Sequence, residues 1–107
     1  MSITIHIFYK GTNGNAKKFV AEMAPVAKRI RQEAGNLRYD YFYPADDPET
    51  VLLIDSWKDQ SALDVHHASP MMKEIAALRD KYDLHMTVER FISDETAGEK
   101  DSSFIRH

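Results

Sequence analysis

Cysteine is absent from the 107 residues. That excludes disulfides, thiolate zinc sites, iron–sulfur clusters and a cysteine nucleophile together. A surplus of one charge is missing too: 14 Lys and Arg stand against 17 Asp and Glu, a net charge of −3. No basic field is available to hold a phosphate backbone, so no nucleic-acid partner is expected. Apolar runs stop at four residues, as in Val51-Leu52-Leu53-Ile54, against the roughly 20 needed to span a bilayer. No membrane partner is expected. Residues 1 to 10 lack the basic start and long apolar stretch of a signal peptide, so the cytoplasm is the default expectation. Glycine and proline number four each, and no low-complexity linker divides the chain. A chain of this length buries only about 60 to 68% of its unfolded surface. It can build one core of two layers and little more.

What is present alternates. Ile3, Ile5 and Ile7 share one face of a strand spanning residues 2 to 10. Gly11-Thr12-Asn13-Gly14-Asn15 ends it, with Asn13 or Asn15 as the expected cap of a helix over 15 to 34. Phe19, Met23, Val26, Ala27 and Ile30 make that helix's apolar stripe, and Pro25 should kink or break it. A second strand, 37 to 43, sets Leu37, Tyr39, Tyr41 and Tyr43 on one face and Arg38, Asp40 and Phe42 on the other. A short turn around Pro44 and Pro48 forces the next strand, 50 to 58, to be antiparallel. Helical segments follow before and after Pro70, the second beginning with Pro70 at its N1 position. The last strand runs from 84 to 92. The order β-α-β-β-α-β predicts an α+β, ferredoxin-like domain over 1 to 93, a four-stranded antiparallel sheet with helices on one face. Residues 94 to 107 form a polar tail with an apolar tip, Phe104-Ile105.

Helices cover only one face of such a sheet, yet large apolar groups sit on both: Ile5 and Phe8, Tyr41 and Phe42, Leu53 and Ile54, Met86 and Phe91. A half-solvated sheet should read apolar on one side and polar on the other. The pattern predicts a homodimer with two sheets face to face, closing towards a barrel. The Phe104-Ile105 tip could reach the partner or remain unstructured.

Nucleotide motifs are missing: Gly11-Thr12-Asn13-Gly14 lacks the third glycine of a dinucleotide fingerprint and the Gly-Lys-Ser/Thr of a P-loop. An RNA-binding module of this topology would show aromatics such as Tyr39, Tyr41 and Tyr43, but also a basic surround that the chain lacks. Metal spacing is equally poor. His66 and His67 are adjacent and point about 100° apart on a helix, which leaves only His6 and His85 on strands that could be neighbours. What remains is Trp57 at the end of the third strand and His66 nine residues later. An imidazole suits removal of a proton from an acidic organic substrate, and an indole can wall an apolar pocket.

Four segments carry a family resemblance: Gly35-Asn36-Leu37-Arg38-Tyr39-Asp40, Asp47-Pro48-Glu49, Asp55-Ser56-Trp57-Lys58-Asp59, and Ala62-Leu63-Asp64-Val65-His66-His67-Ala68-Ser69-Pro70. Together they resemble the antibiotic biosynthesis monooxygenase superfamily over about residues 2 to 93. The resemblance implies a dimeric α+β barrel and, for one group of similar members, oxidation of a phenolic or quinol-like aromatic by dioxygen with no flavin or metal. It implies His66 and Trp57 as the catalytic pair. Arg38, Tyr39, Tyr41, Asp55, His6 and Met71 are the expected substrate-binding set. Two departures stand out: Asp55 replaces a frequent Glu, and Met71 replaces the second histidine of a Ser-Pro-His pattern. The heme-degrading branch is disfavoured, because residues 2 to 10 contain no Asn and the helical Trp and His positions hold His66 and Ala76. The resemblance equally admits an isomerase of a small phosphorylated carbonyl compound, with Arg38 or Lys58 on the phosphate. A non-catalytic ligand-binding dimer is the third reading, and a His66 cavity filled by side chains would favour it.

Overall fold

The computed structural model describes the backbone of residues 1–107 and every side chain except that of residue 97. The strands are β1 (Ile3–Lys10), β2 (Asn36–Phe42), β3 (Thr50–Trp57) and β4 (His85–Ile92). The helices are α1 (Asn15–Arg31), α2 (Gln60–His67), α3 (Met71–Lys81) and a short α4 (Ala97–Lys100), with a 3₁₀ turn at Ser102–Phe104. All strand pairs are antiparallel, in the order β2-β3-β1-β4. This is the ferredoxin-like α+β fold expected from the order of elements. No helix of the described residues is long and apolar enough to cross a membrane.

Register turns the alternation of each strand into rows across the sheet. Tyr39 lies opposite Asp55, Asp55 opposite Ile5, and Ile5 opposite Arg90. The next row is Tyr41, Leu53, Ile7 and Val88. These rows lie on the helix-covered face. There α1 contributes Phe19, Met23, Val26, Ala27 and Ile30 to a core shared with Ile3, Tyr9, Val51, Leu53 and Trp57. Helix α1 packs on β2 and against α3, leaving the edge strand β4 exposed along its whole length. On the opposite face Phe42 and Phe91 are more than two-fifths exposed, beside partly buried Phe8, Leu52 and Ile54.

Several expectations are corrected. Helix α1 runs unbroken through Pro25. Proline's fixed φ suits a helix, and the buried stripe on both sides holds the turn whose hydrogen bond is lost. The helix also ends three residues early, at Arg31. Gly14, with φ +75°, occupies the N-cap instead of Asn13 or Asn15, and its N–H donates to the Glu49 carboxylate at 3.2 Å. Pro70 is the N-cap of α3, one position before the expected N1. A β-bulge sets Asn36 opposite Trp57 and Arg38 opposite Ser56. Leu37 is the extra residue; it leaves the face of Tyr39 and is 59% exposed. In the tail, Phe104 is exposed.

Gly35 ends the turn after α1 with φ +82°, a conformation that glycine adopts without strain. Its carbonyl accepts from Lys58 N–H at 2.8 Å, and a Cβ there would meet the Ala62 Cβ at 2.6 Å. This close approach clamps the end of α1 to the end of β3 and the start of α2. The clamp positions the site.

Candidate active site

Helix α2 starts directly after β3 because Asp59 caps it: the Asp59 carboxylate accepts from Ala62 N–H at 2.9 Å. Ala62, Leu63 and His66 then recur on one helical face and are buried. His66 is only 2% exposed and stacks on the Trp57 indole, with ring centroids 4.6 Å apart and planes 25° apart. Two residues back on the same strand face, Asp55 accepts from Trp57 Nε1–H at 2.5 Å. The other side of the imidazole meets Glu33, whose Oε1 lies 3.0 Å from His66 Nδ1. Tyr39 stands edge-on to the imidazole, its ring centroid 6.2 Å away.

Of these groups His66, Asp55 and Tyr39 border a cavity of about 280 Å³ between the sheet and helices α2 and α3. Ile5, Ile7, Leu53, Tyr9 and Tyr39 form its floor, while Met72, Ile75, Ala76 and Arg79 of α3 form its roof. Met86 and Val88 of β4 flank it, and Asp55, His66 and His67 supply further polar groups. An engineered cavity of roughly 150 Å³ already holds benzene. The space here therefore admits one or two fused rings.

Electrostatics follow from burial. Desolvation pushes the Asp55 carboxyl up to about 6, although the Trp57 N–H and the His66 ring pull the other way. Burial pushes the Tyr9 phenol up to about 12 and that of Tyr39 well above its usual value. Both are neutral hydrogen-bonding groups at physiological pH and not bases. His67 is lowered by burial and by neighbouring His66.

The raised value of Asp55 has a consequence for stability. The folded state holds its proton up to about pH 6, whereas an unfolded aspartate releases it near 3.8. Folding therefore binds protons between those limits, and stability falls as pH rises through that window. Above it the ionised carboxylate costs about 3 kcal/mol. Asp55→Asn is expected to remove this slope and to stabilise the protein by that order at pH 8, while changing little at pH 3. Urea unfolding at the two pH values measures it. Equal effects at both would contradict the assignment.

The expected residues divide. His66, Asp55 and Tyr39 border the cavity, and Trp57 is fully buried behind the imidazole. Tyr41 lies one row further, edge-on to Tyr39 and Phe19, and outside the lining. Met71 packs partly buried against the core, while Met72 faces the cavity, because one helical residue turns the side chain by about 100°. Arg38 and His6 lie on the opposite face of the sheet, one strand position out of phase with Tyr39 and Ile5. There Arg38 pairs with Asp40 at 3.7 Å, and His6 packs on Phe91. His6 stands opposite Glu89 and His85 opposite Lys10, so the two histidines are not neighbours. Among the described residues, no group of three or more His, Asp or Glu side chains is placed to hold a metal ion. Glu33, Tyr9, Met72 and Arg79 escaped sequence reasoning. Two of them carried a signal: Met72 in the apolar stripe of α3, and Tyr9 in phase with Ile3, Ile5 and Ile7.

A family model for antibiotic biosynthesis monooxygenases matches residues 2–78. The chain belongs to the antibiotic biosynthesis monooxygenase family. The Bacillus subtilis (strain 168) protein YcnE, named provisionally as a monooxygenase, is 26% identical over 65 residues, 61% of this chain and 68% of YcnE. Among solved structures, SnoaB of Streptomyces nogalater, described as a cofactor-independent oxygenase, superposes with a TM-score of 0.77 at 18% identity. The match covers 92% of this chain and 98% of SnoaB. PA3566 of Pseudomonas aeruginosa gives a TM-score of 0.75 at 20% identity, over 87% of this chain and 94% of that one. Both structural likenesses speak for the fold.

Proposed function

We propose that this chain is a monooxygenase that oxidises a phenolic or quinol-like aromatic with dioxygen, with no cofactor. One observation carries the reading: a single buried imidazole, His66, borders an apolar cavity of ring size. His66 takes the phenolic proton, and the electron pair stays on the substrate oxygen. The electron-rich ring passes one electron to dioxygen, and the radical pair closes into a C–O bond. Loss of water from the resulting peroxide leaves a carbonyl. One oxygen atom ends in the product and the other in water, and the ring supplies all four electrons. The apolar floor keeps bulk water from the intermediate. Asp55 and Tyr39 orient the ring's polar edge, and Arg79 offsets the phenolate charge. SnoaB's description as a cofactor-independent oxygenase supports this chemistry for the fold.

The isomerase reading is weaker, because Arg38 lies across the sheet from the cavity and Lys58 is exposed. A purely structural role calls for a filled space beside His66, and that space is open. Oxygen uptake with a panel of hydroquinones, combined with ¹⁸O₂ labelling, tests the proposal. Absence of turnover across the panel, or product without label, would sink it.

We further propose a homodimer joined through the sheet face that carries Phe8, Phe42, Leu52, Ile54 and Phe91. Among the described residues no helix makes extensive contact with this face, and Phe42 and Phe91 are exposed there. Sedimentation equilibrium should give twice the chain mass, and Ile54→Lys should return the monomer. A native monomer at micromolar concentration would refute the dimer.

A further inference from the structure

Glu33 has no part in the proton transfer described above, yet its carboxylate is the described group that hydrogen-bonds the imidazole. We propose that Glu33 is a positioning residue, holding the proton of neutral His66 on Nδ1 so that Nε2 is the nitrogen offered to the substrate. The inference deepens the oxygenase reading and rests on it.

Three observations carry it. Glu33 Oε1 lies 3.0 Å from His66 Nδ1, and an ionised carboxylate only accepts hydrogen bonds. The neutral ring must then carry its hydrogen on Nδ1, which leaves a lone pair on Nε2. No described residue bonds Nε2, and His66 borders the cavity. Next, the ring has little freedom to escape this choice. Stacking on Trp57 fixes its plane, and the Glu33 contact selects one of the two flips within that plane. Finally, Glu33 itself is held by backbone. Its N–H donates to Ile30 O at 3.0 Å, and its carbonyl accepts from Asn36 N–H at 3.1 Å, inside the turn that Gly35 closes. Its side chain is 13% exposed, so the pair works largely out of water.

The other nearby carboxylate does not do this. Asp55 is engaged by Trp57 Nε1–H. When the substrate O–H proton arrives at Nε2, the imidazolium keeps its Nδ1–H on Glu33, and the new charge faces an opposite one already in place. A salt bridge kept only for stability would be indifferent to the tautomer and to turnover.

The test reads both. Long-range ¹H–¹⁵N correlation on the ligand-free native protein with the imidazole neutral should show Nδ1 protonated and Nε2 bare. Glu33→Leu removes the acceptor at similar volume, and the Nε2–H form should become the major one. With a turned-over quinol, kcat of Glu33→Leu should fall at least about 10²-fold with KM within about threefold, as when other carboxylates that orient a catalytic histidine are removed. A native Nε2–H tautomer overturns the proposal, and so does a variant whose kcat stays within twofold of native. If the variant fails to fold, the native tautomer alone decides. If no quinol is turned over, the oxygenase reading fails, while the tautomer and its response to Glu33→Leu still decide the role of Glu33.

Discussion

Replacing His66 with alanine is expected to lower the rate of quinol oxidation by about 10²- to 10⁴-fold, the usual contribution of a positioned general base. The expectation rests on the scarcity of other bases in the cavity. Tyr9 and Tyr39 are held neutral by burial. Asp55 is engaged by the Trp57 N–H, which offsets part of the rise that burial gives its carboxyl. His67 also borders the cavity but lacks the stack and the carboxylate partner that orient its neighbour. The loss should fall on kcat, because the imidazole acts on a proton that moves in the transition state and supplies little ground-state binding. Oxygen consumption and quinone absorbance measure it, and far-UV circular dichroism checks the fold. His66→Gln separates the two roles of the ring, since it keeps a polar group of similar reach without a basic nitrogen. A variant that retains more than a third of native kcat would remove His66 from the mechanism.

The second large effect belongs to Trp57. It is fully buried, stacks on His66 and donates to Asp55. Trp57→Ala empties a core position, at a cost of about 3 to 5 kcal/mol in unfolding free energy. It also strips a buried carboxylate of its donor. Trp57→Phe separates these contributions. The phenyl ring keeps most of the packing, while Asp55 loses the hydrogen bond that does most to hold its carboxyl down. Its pKa should then rise further, and the fall in stability with pH should extend above pH 6. The loss for Phe should be about 1 to 3 kcal/mol at neutral pH, mostly the unmet bond of the carboxylate. Urea unfolding across pH measures both variants. A cost below about 1 kcal/mol for Trp57→Ala would mean that the indole is not the floor on which His66 rests.

The order of elements and the outline of the site were legible because both rest on short-range rules. Alternation placed Ile5, Leu53 and Val88 on one face, and helical spacing made Phe19, Met23 and Ile30 a stripe. Neither rule needs to know what lies opposite. His66 and Trp57 were found the same way, as unusual side chains at the end of a strand and on the next helix. The misses also have local causes. The bulge at Leu37 depends on how two strands pair, which no single strand records. Arg38 and His6 entered the expected set with the family resemblance, but a strand sends neighbouring residues to opposite faces, so Arg38 parts from Tyr39 and His6 from Ile5. One position decides which side of the sheet a cation serves. Met71 gave way to Met72 by the same argument on a helix.

Composition and spacing thus carried one core, no thiol, a tryptophan ending the third strand and a histidine on the helix that follows. Those properties survive any arrangement of the elements, since they are carried by residue identity and by periods of two and 3.6. Only the tertiary structure could bring Glu33 to His66, 33 positions away, and hang Arg79 over the cavity that Asp55 borders. Contacts of that kind depend on the turn at Gly35, the cap at Asp59 and the register of β3 against β1 all holding together. A charge partner chosen by chain crossing leaves no periodic trace in the sequence, and it is the folded sheet that selects it.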